Sequence, residues 1–293
     1  MEKPLRTAFI TGCSSGIGRA AARLMAAEGL QVVATARRPE TIEDLLAEAQ
    51  ERGHSLITLP CDVTDEGSCV AAVMAAREAF GDIHILVNNA GYGLAGPIEA
   101  VPLERARTQF EVNTFGAMRL VRLIVPDMRR AGWGRIVNVS SILGKMAAPF
   151  NGWYSASKFA LEALSDALRL ELARSGIQTV SILPGPVKTA FVENVELPDL
   201  PMPLVPVYES TLTRMRREHA GRRKYEVSAE HCARVILRAV QSSRPRPRYY
   251  VTFPARFGTC SRRFLSDRMV DAMMAKFYGL RKNESAAGKA ESR

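Results

Sequence analysis

Read from its N-terminus, the chain alternates two kinds of segment. Short runs rich in Val, Ile, Ala and Leu occupy 6–11, 31–37, 55–62, 83–88, 135–140, 179–183 and 248–253. Most are too continuously apolar to keep one face in water. Between them lie longer stretches, such as 19–28 and 159–172, whose apolar residues recur every three or four positions. A period near 3.6 reads as helix, and a short unbroken apolar run reads as a strand buried on both faces. Strands and helices in alternation predict an α/β protein with right-handed βαβ units and a doubly wound parallel sheet of about seven strands. No composition break or linker divides it, so the pattern predicts one domain over 1–253 and a basic, partly helical extension over 254–293. Ligands of such a sheet sit beyond the carboxyl ends of the strands, so the chemistry should lie where each apolar run stops.

Two of those endings hold unusual residues. The first run leads into Thr11-Gly-Cys-Ser-Ser-Gly-Ile-Gly18, and a helical stretch opens at once. Strand, glycine turn, helix is the setting in which a backbone can approach a dinucleotide pyrophosphate. Gly12 permits the tight turn, and Gly16 and Gly18 permit the close approach. The spacing is G-x-x-x-G-x-G, not the commoner G-x-G-x-x-G. Far along the chain, Tyr154 and Lys158 lie one helical turn apart and so share a face. A lysine held there should favour phenolate and draw the tyrosine pKa toward the working pH, making a usable proton donor and acceptor. Ser141 stands thirteen residues before that tyrosine. Alone, either pattern also fits an ordinary strand end or helix; one domain holding both does not read that way.

Together these features resemble the short-chain dehydrogenase/reductase family over about residues 5–248. The agreement covers the glycine turn, Asp62-Val63, Asn88-Asn-Ala-Gly91, Asn113, Ser141, Tyr154, Lys158 and Pro184-Gly185. Four segments resemble the branch containing 17β-hydroxysteroid dehydrogenase type 1 and retinol dehydrogenases. They are Cys13-Ser-Ser-Gly-Ile-Gly18, Pro149-Phe-Asn151, Ala156-Ser-Lys-Phe-Ala-Leu-Glu162 and Gly185-Pro-Val-Lys-Thr-Ala-Phe191. The resemblance implies a Rossmann-like fold and a hydride-transferring enzyme acting on a ketone, aldehyde or alcohol. It implies that Tyr154 passes the proton and that Ser141 binds the carbonyl oxygen. Lys158 would tune Tyr154 and hold ribose hydroxyls, and Asn113 would hold a water linking Lys158 to solvent. Cofactor contacts would come from Gly12, Ser14, Ser15, Gly16, Ile17 and Gly18, from Asp62 and Val63, and from Asn89, Ala90 and Gly91. Beyond the sixth strand, Pro184, Gly185, Val187 and Thr189 would meet the nicotinamide end.

The second apolar run selects the form of that cofactor. Where family members place an acid for the ribose hydroxyls, this chain has Ala36, followed by Arg37 and Arg38. A carboxylate there would repel a 2′-phosphate, whereas a guanidinium grips one with paired hydrogen bonds. The expected cofactor is therefore NADP(H), with Arg37 its main discriminator. The segment 187–225, which in this family covers the substrate, is dense in apolar residues and broken by prolines. With Leu143, Phe150 and Phe191 it predicts a hydrophobic carbonyl or alcohol substrate, steroid- or retinoid-like. Leu94, Met146 and Trp153 are further candidates. A 3-oxoacyl thioester reductase and a non-catalytic nucleotide-sensing protein are the alternatives.

Charge and composition trim the remaining choices. The formal net charge is +10, yet residues 1–200 carry 20 Lys+Arg against 22 Asp+Glu, and the remaining 93 carry 20 against 8. A basic C-terminal third permits contact with an anionic membrane surface. No nucleic-acid motif accompanies it. In that third, Leu265, Met269, Met273 and Phe277 form the expected apolar stripe of a helix. Five cysteines without a CxxC pair and four scattered histidines argue for a reduced, cytoplasmic protein and against a metal site. The first strand begins too near Met1 to leave room for a signal peptide, and no apolar run has the length of a membrane span. A homo-oligomer is expected.

Overall fold

The computed structural model describes residues 5–189, 226–252 and 265–278, with isolated positions 195, 196, 204, 208, 209, 213, 255 and 280. Six strands follow one another from the N-terminus: β1 (Thr7–Ile10), β2 (Gln31–Ala36), β3 (Leu56–Pro60), β4 (Ile83–Asn88), β5 (Gly134–Val139) and β6 (Ile177–Leu183). Two short strands, β7 (Val187–Lys188) and β8 (Val227–Ser228), pair only with each other, and β9 (Arg248–Tyr250) returns to the edge of the main sheet. That sheet is parallel, in the order β3-β2-β1-β4-β5-β6-β9.

The unbroken apolar runs have a simple origin. Successive strand residues point to opposite faces, and both faces are covered. In β1, Ala8 and Ile10 join one core while Phe9 joins the other; Val32 and Val33 divide in the same way, as do Ile85 and Leu86. The first core packs helices α1 (Gly16–Ala27) and α2 (Glu43–Glu51) through Ala21, Met25 and Leu45. The second packs α3 (Glu66–Phe80) through Cys69 and Val73. Next in the chain come α4 (Leu103–Phe110), one π turn (Glu111–Phe115) and α5 (Gly116–Arg130), and Leu120 and Ile124 of α5 join the second core. The long α6 (Gly152–Glu171) precedes β6, and α7 (Ala229–Gln241) completes the first core through Ile236.

Two expectations change. The seventh strand pairs over only three residues, and its expected end, Phe253, lies outside the described residues. In the C-terminal helix α8 (Asp267–Tyr278), the inward residues are Val270, Met274 and Tyr278, spaced i, i+4, i+8. Met269 and Met273 of the expected stripe are 55% and 48% exposed. Two apolar sets shared that helix, and the one ending in Tyr278 found a partner in Ala148, Phe150 and Leu143. No helix among the described residues is long and apolar enough to cross a membrane.

Candidate active site

Strand order reverses between β1 and β4, and a cleft forms there at the carboxyl edge of the sheet. The glycine turn lines it. Gly12 has φ +70°, and a Cβ on it would lie 2.9 Å from the Ala90 Cα. A Cβ on Gly18 would press into Asn89 Nδ2 and sit 2.5 Å from the Gly12 carbonyl oxygen. The turn and the Asn89-Ala90 segment are thus packed backbone to backbone. Thr11 ties them together, its Oγ1 accepting from the Asn89 and Ala90 N–H groups at 2.9 Å each. Asn89 Nδ2 donates back to the carbonyls of Thr11 and Gly12, at 2.9 and 3.1 Å.

The end of α1 that faces the cleft is built for an anion. Its N-cap, Ser15, makes no side-chain capping bond, and no acid lies in the first turn. First-turn N–H groups therefore have neither a capping side chain nor a first-turn acid competing for them. Ser14 and Ser15 are exposed, Ile17 is half-buried, and Thr189 packs about 3.1 Å from where a Gly16 Cβ would be. At the end of β2, Ala36 is buried while Arg37 and Arg38 are exposed, with no ion pair on either among the described residues. Asp62 folds a local turn, its Oδ1 accepting from Thr64 N–H at 2.9 Å and Thr64 Oγ1 at 2.8 Å. Val63 beside it is wedged against Gly116 at the start of α5. Val187 is buried in the β7–β8 pair, and Pro184 and Gly185 follow β6 directly. These residues fit a dinucleotide: a glycine turn, an uncapped helix end and free guanidinium groups in one cleft.

The catalytic candidates converge at the other end of that cleft. Ser141 follows β5, and its Oγ accepts from Leu143 N–H at 3.1 Å and is hydrogen-bonded to the Tyr154 phenol. Tyr154 and Lys158 project from one face of α6, both almost fully buried. Lys158 Nζ donates to the Val139 carbonyl at 3.0 Å and lies 5.9 Å from the centre of the Tyr154 ring. Asn113 arrives through the π turn, a local widening that often marks a functional position. Its amide clasps Tyr92, accepting from the backbone N–H and donating to the carbonyl at 3.0 Å each, and also donates to Ser157 Oγ at 3.1 Å. A Cβ on Gly91 would touch Asn113 Oδ1 at 3.0 Å and Lys158 Nζ at 3.5 Å, so the two functional groups are neighbours. The sequence carries no signal for the π turn.

Against the expectation that Lys158 draws the Tyr154 pKa down, burial moves it up when protein groups alone surround the pair. Burial pushes the phenol up to about 12, against the downward pull of its Ser141 hydrogen bond. Burial likewise pushes the Lys158 ammonium down to about 8, opposed by Glu162. Desolvation penalises whichever form is charged, so it separates the two groups' titrations in the direction that keeps both neutral. The i, i+4 spacing established proximity but carried no information about how dry the pair is.

Around this corner, Leu143 and Phe150 join Ala148, Tyr208 of the expected covering segment and, unexpectedly, Met274 and Tyr278 in one apolar cluster. Phe150 has φ +61°, and its ring meets Tyr208 edge-on at 5.9 Å. The Tyr208 hydroxyl donates to Glu99 at 2.6 Å. Trp153 is not part of this cluster. Its indole donates to the Ile98 carbonyl and lines a groove of about 380 Å³ with Leu103, Phe110 and Phe115. Phe191 and most of 187–225 lie outside the described residues.

Comparison with known proteins agrees with this fold. The family model described as short chain dehydrogenase matches residues 6–199. An uncharacterized oxidoreductase of Escherichia coli, YbbO, is 32% identical over 270 residues, 92% of this chain and 94% of its own. Human 17-beta-hydroxysteroid dehydrogenase type 1 is 36% identical over 253 residues, 83% of this chain and 76% of its own. Among solved structures, a Burkholderia phymatum short chain dehydrogenase/reductase in complex with NAD aligns with TM-score 0.78 and 26% identity, covering 89% of this chain and 93% of that one. An actinorhodin polyketide ketoreductase with NADPH aligns with TM-score 0.73 and 28% identity, covering 87% and 99%.

Proposed function

This chain belongs to the short-chain dehydrogenase/reductase family, and from that premise we propose that it is an NADP(H)-dependent enzyme interconverting a hydrophobic ketone or aldehyde with its alcohol. The observation that carries the proposal is the gathering of Ser141, Tyr154, Lys158 and Asn113 beside a glycine turn and an uncapped helix end. The bound nicotinamide would supply or accept the hydride. The protein then has to manage one proton and one developing charge. Ser141 Oγ, oriented by Leu143 N–H, is placed to donate to a carbonyl oxygen as charge builds there. Tyr154, kept protonated by burial, is in the correct state to deliver a proton during reduction. For oxidation it must lose that proton, and the Lys158 ammonium favours the loss through proximity. Asn113 fixes the neighbouring backbone and is assigned the proton path from Lys158.

Arg37 and Arg38, free of carboxylate partners among the described residues, support NADP(H) over NAD(H). The apolar cluster of Leu143, Phe150, Tyr208, Met274 and Tyr278 supports a bulky lipophilic substrate, and similarity to a hydroxysteroid dehydrogenase makes a steroid-like scaffold the first choice. NADPH oxidation is measured with steroid ketones, retinal, 3-oxoacyl thioesters and short polar aldehydes, for wild type and Tyr154→Phe. Wild type should prefer the large apolar carbonyls, and the variant should keep cofactor affinity and lose nearly all turnover. Efficient reduction confined to short polar aldehydes, or a fully active Tyr154→Phe, refutes the reading; preference for thioesters overturns the substrate class alone.

A further inference from the structure

One turn beyond Lys158, on the same face of α6, Glu162 is a carboxylate only 1% exposed. Charges come to it from three elements. Lys145, in the loop that follows Ser141, places its Nζ 3.2 Å from Glu162 Oε2. Arg248, on β9, donates to the same oxygen from Nε at 2.8 Å. Within α6, Asp166 lies one turn further on, pairing with Arg248 and with Arg169, while Lys158 lies one turn back. Glu162 Oε1 is buried and has no protein partner among the described residues.

The loop that carries Lys145 also sets the position of Ser141. Ile142 N–H donates to the Pro184 carbonyl at 3.0 Å, and Leu143 N–H holds Ser141 Oγ. Gly144 lets this loop lie on α6: a Cβ there would be 3.0 Å from the Lys158 carbonyl and 3.1 Å from Glu162 Cγ. Serine loop and helix therefore touch at Lys158 and Glu162. A buried carboxylate is costly unless paired, and two of its partners come from separate pieces of chain. Such a group both fastens elements together and imposes a negative field on the buried ammonium beside it.

We propose that Glu162 is a positioning residue: it fastens the Ser141 loop to α6 through Lys145 and sets the charge state of Lys158. The inference rests on the enzymatic reading above for its activity readout, but one measurement does not. The Lys158 ammonium, whose burial places its pKa at about 8 with Glu162 opposing that shift, is assigned to ribose hydroxyls. NADPH affinity in wild type should accordingly weaken as pH rises past that region.

The test compares wild type, Glu162→Gln, Glu162→Asp and Lys145→Gln. Two pH profiles are recorded: NADPH affinity by quenching of protein fluorescence, and carbonyl reduction. Removing the anion in Glu162→Gln should move both limbs down by ~0.5–1 pH unit and lower kcat more than it raises KM, because the Lys158 ammonium beside Tyr154 loses the negative field that favours it. Glu162→Asp, which keeps the charge, should return the limbs toward wild type. Lys145→Gln strips a cation from the half-buried loop and should move them the opposite way, which keeps the test open if Glu162→Gln does not fold. A folded Glu162→Gln with unmoved limbs overturns the proposal, as does Lys145→Gln shifting in the same direction as Glu162→Gln. Absent turnover in wild type would count against the enzymatic reading, while the affinity limbs would still judge Glu162.

Discussion

Replacing Lys158 by methionine should make the protein more stable and catalytically dead. The two side chains have similar bulk, so the change removes a buried charge with little repacking. Burial lowers the lysine pKa from 10.5 to about 8, and ~2.5 units at 1.36 kcal/mol each is about 3 kcal/mol of folding free energy opposed at neutral pH. Losing the hydrogen bond to the Val139 carbonyl costs about 1 kcal/mol in return. The net expectation is a gain of about 2 kcal/mol at pH 7. Its pH dependence has a fixed sign. Between about pH 8 and 10.5 the unfolded chain keeps a proton that the folded chain has shed, so wild-type stability rises with pH through that window. The methionine advantage should therefore shrink to near zero by about pH 9.5, before Tyr154 begins to matter. Urea titrations of both proteins without added nucleotide, at pH 7.0 and at pH 9.5, measure the difference. A variant less stable than wild type at pH 7, or an advantage that does not shrink as pH rises, refutes the reasoning.

Two further substitutions probe the cofactor cleft. Gly18→Ala places a methyl 2.5 Å from the Gly12 carbonyl oxygen, so NADPH affinity should fall at least tenfold, with a stability loss of about 1–3 kcal/mol from overpacking; unchanged fluorescence titrations and melting temperature would show that the turn can yield. Ala36→Asp with Arg37→Ala should shift preference from NADP toward NAD by roughly ten- to a hundredfold, since a charge-assisted contact is worth about 1.5–3 kcal/mol. Wild type that binds NAD as tightly as NADP would undo the assignment of Arg37.

Legibility in the sequence followed the range of the interactions involved. Ala8-Phe9-Ile10 was readable as a two-faced strand because alternation is local, and the glycine turn was readable because its pattern lies within eight residues, although Asn89 and Ala90 supply part of its constraint. Tyr154 and Lys158 were placed together correctly by helical spacing, whereas their protonation depends on desolvation by residues far away in the chain. Glu162 was legible only as the end of a segment carrying the branch resemblance, because Lys145 and Arg248 approach it from other elements. Asn113 reaches the neighbourhood of Lys158 from a π turn that no periodicity announces. In α8 the stripe was misjudged for the same reason: the choice between two apolar sets was made by Phe150 and Leu143, not by the helix itself.

The pairing of Glu162 with Arg248, and the meeting of Phe150 with Tyr278, have a consequence for the growing polypeptide. A ribosome delivers the glycine turn and the Asn89-Ala90-Gly91 segment first, and the proton-handling residues Ser141, Tyr154 and Lys158 after them. Arg248, the ion-pair partner of Glu162 behind Lys158, and Tyr278, part of the wall beside Phe150, come after both. A nascent chain therefore acquires its nucleotide cradle long before it can close around anything apolar.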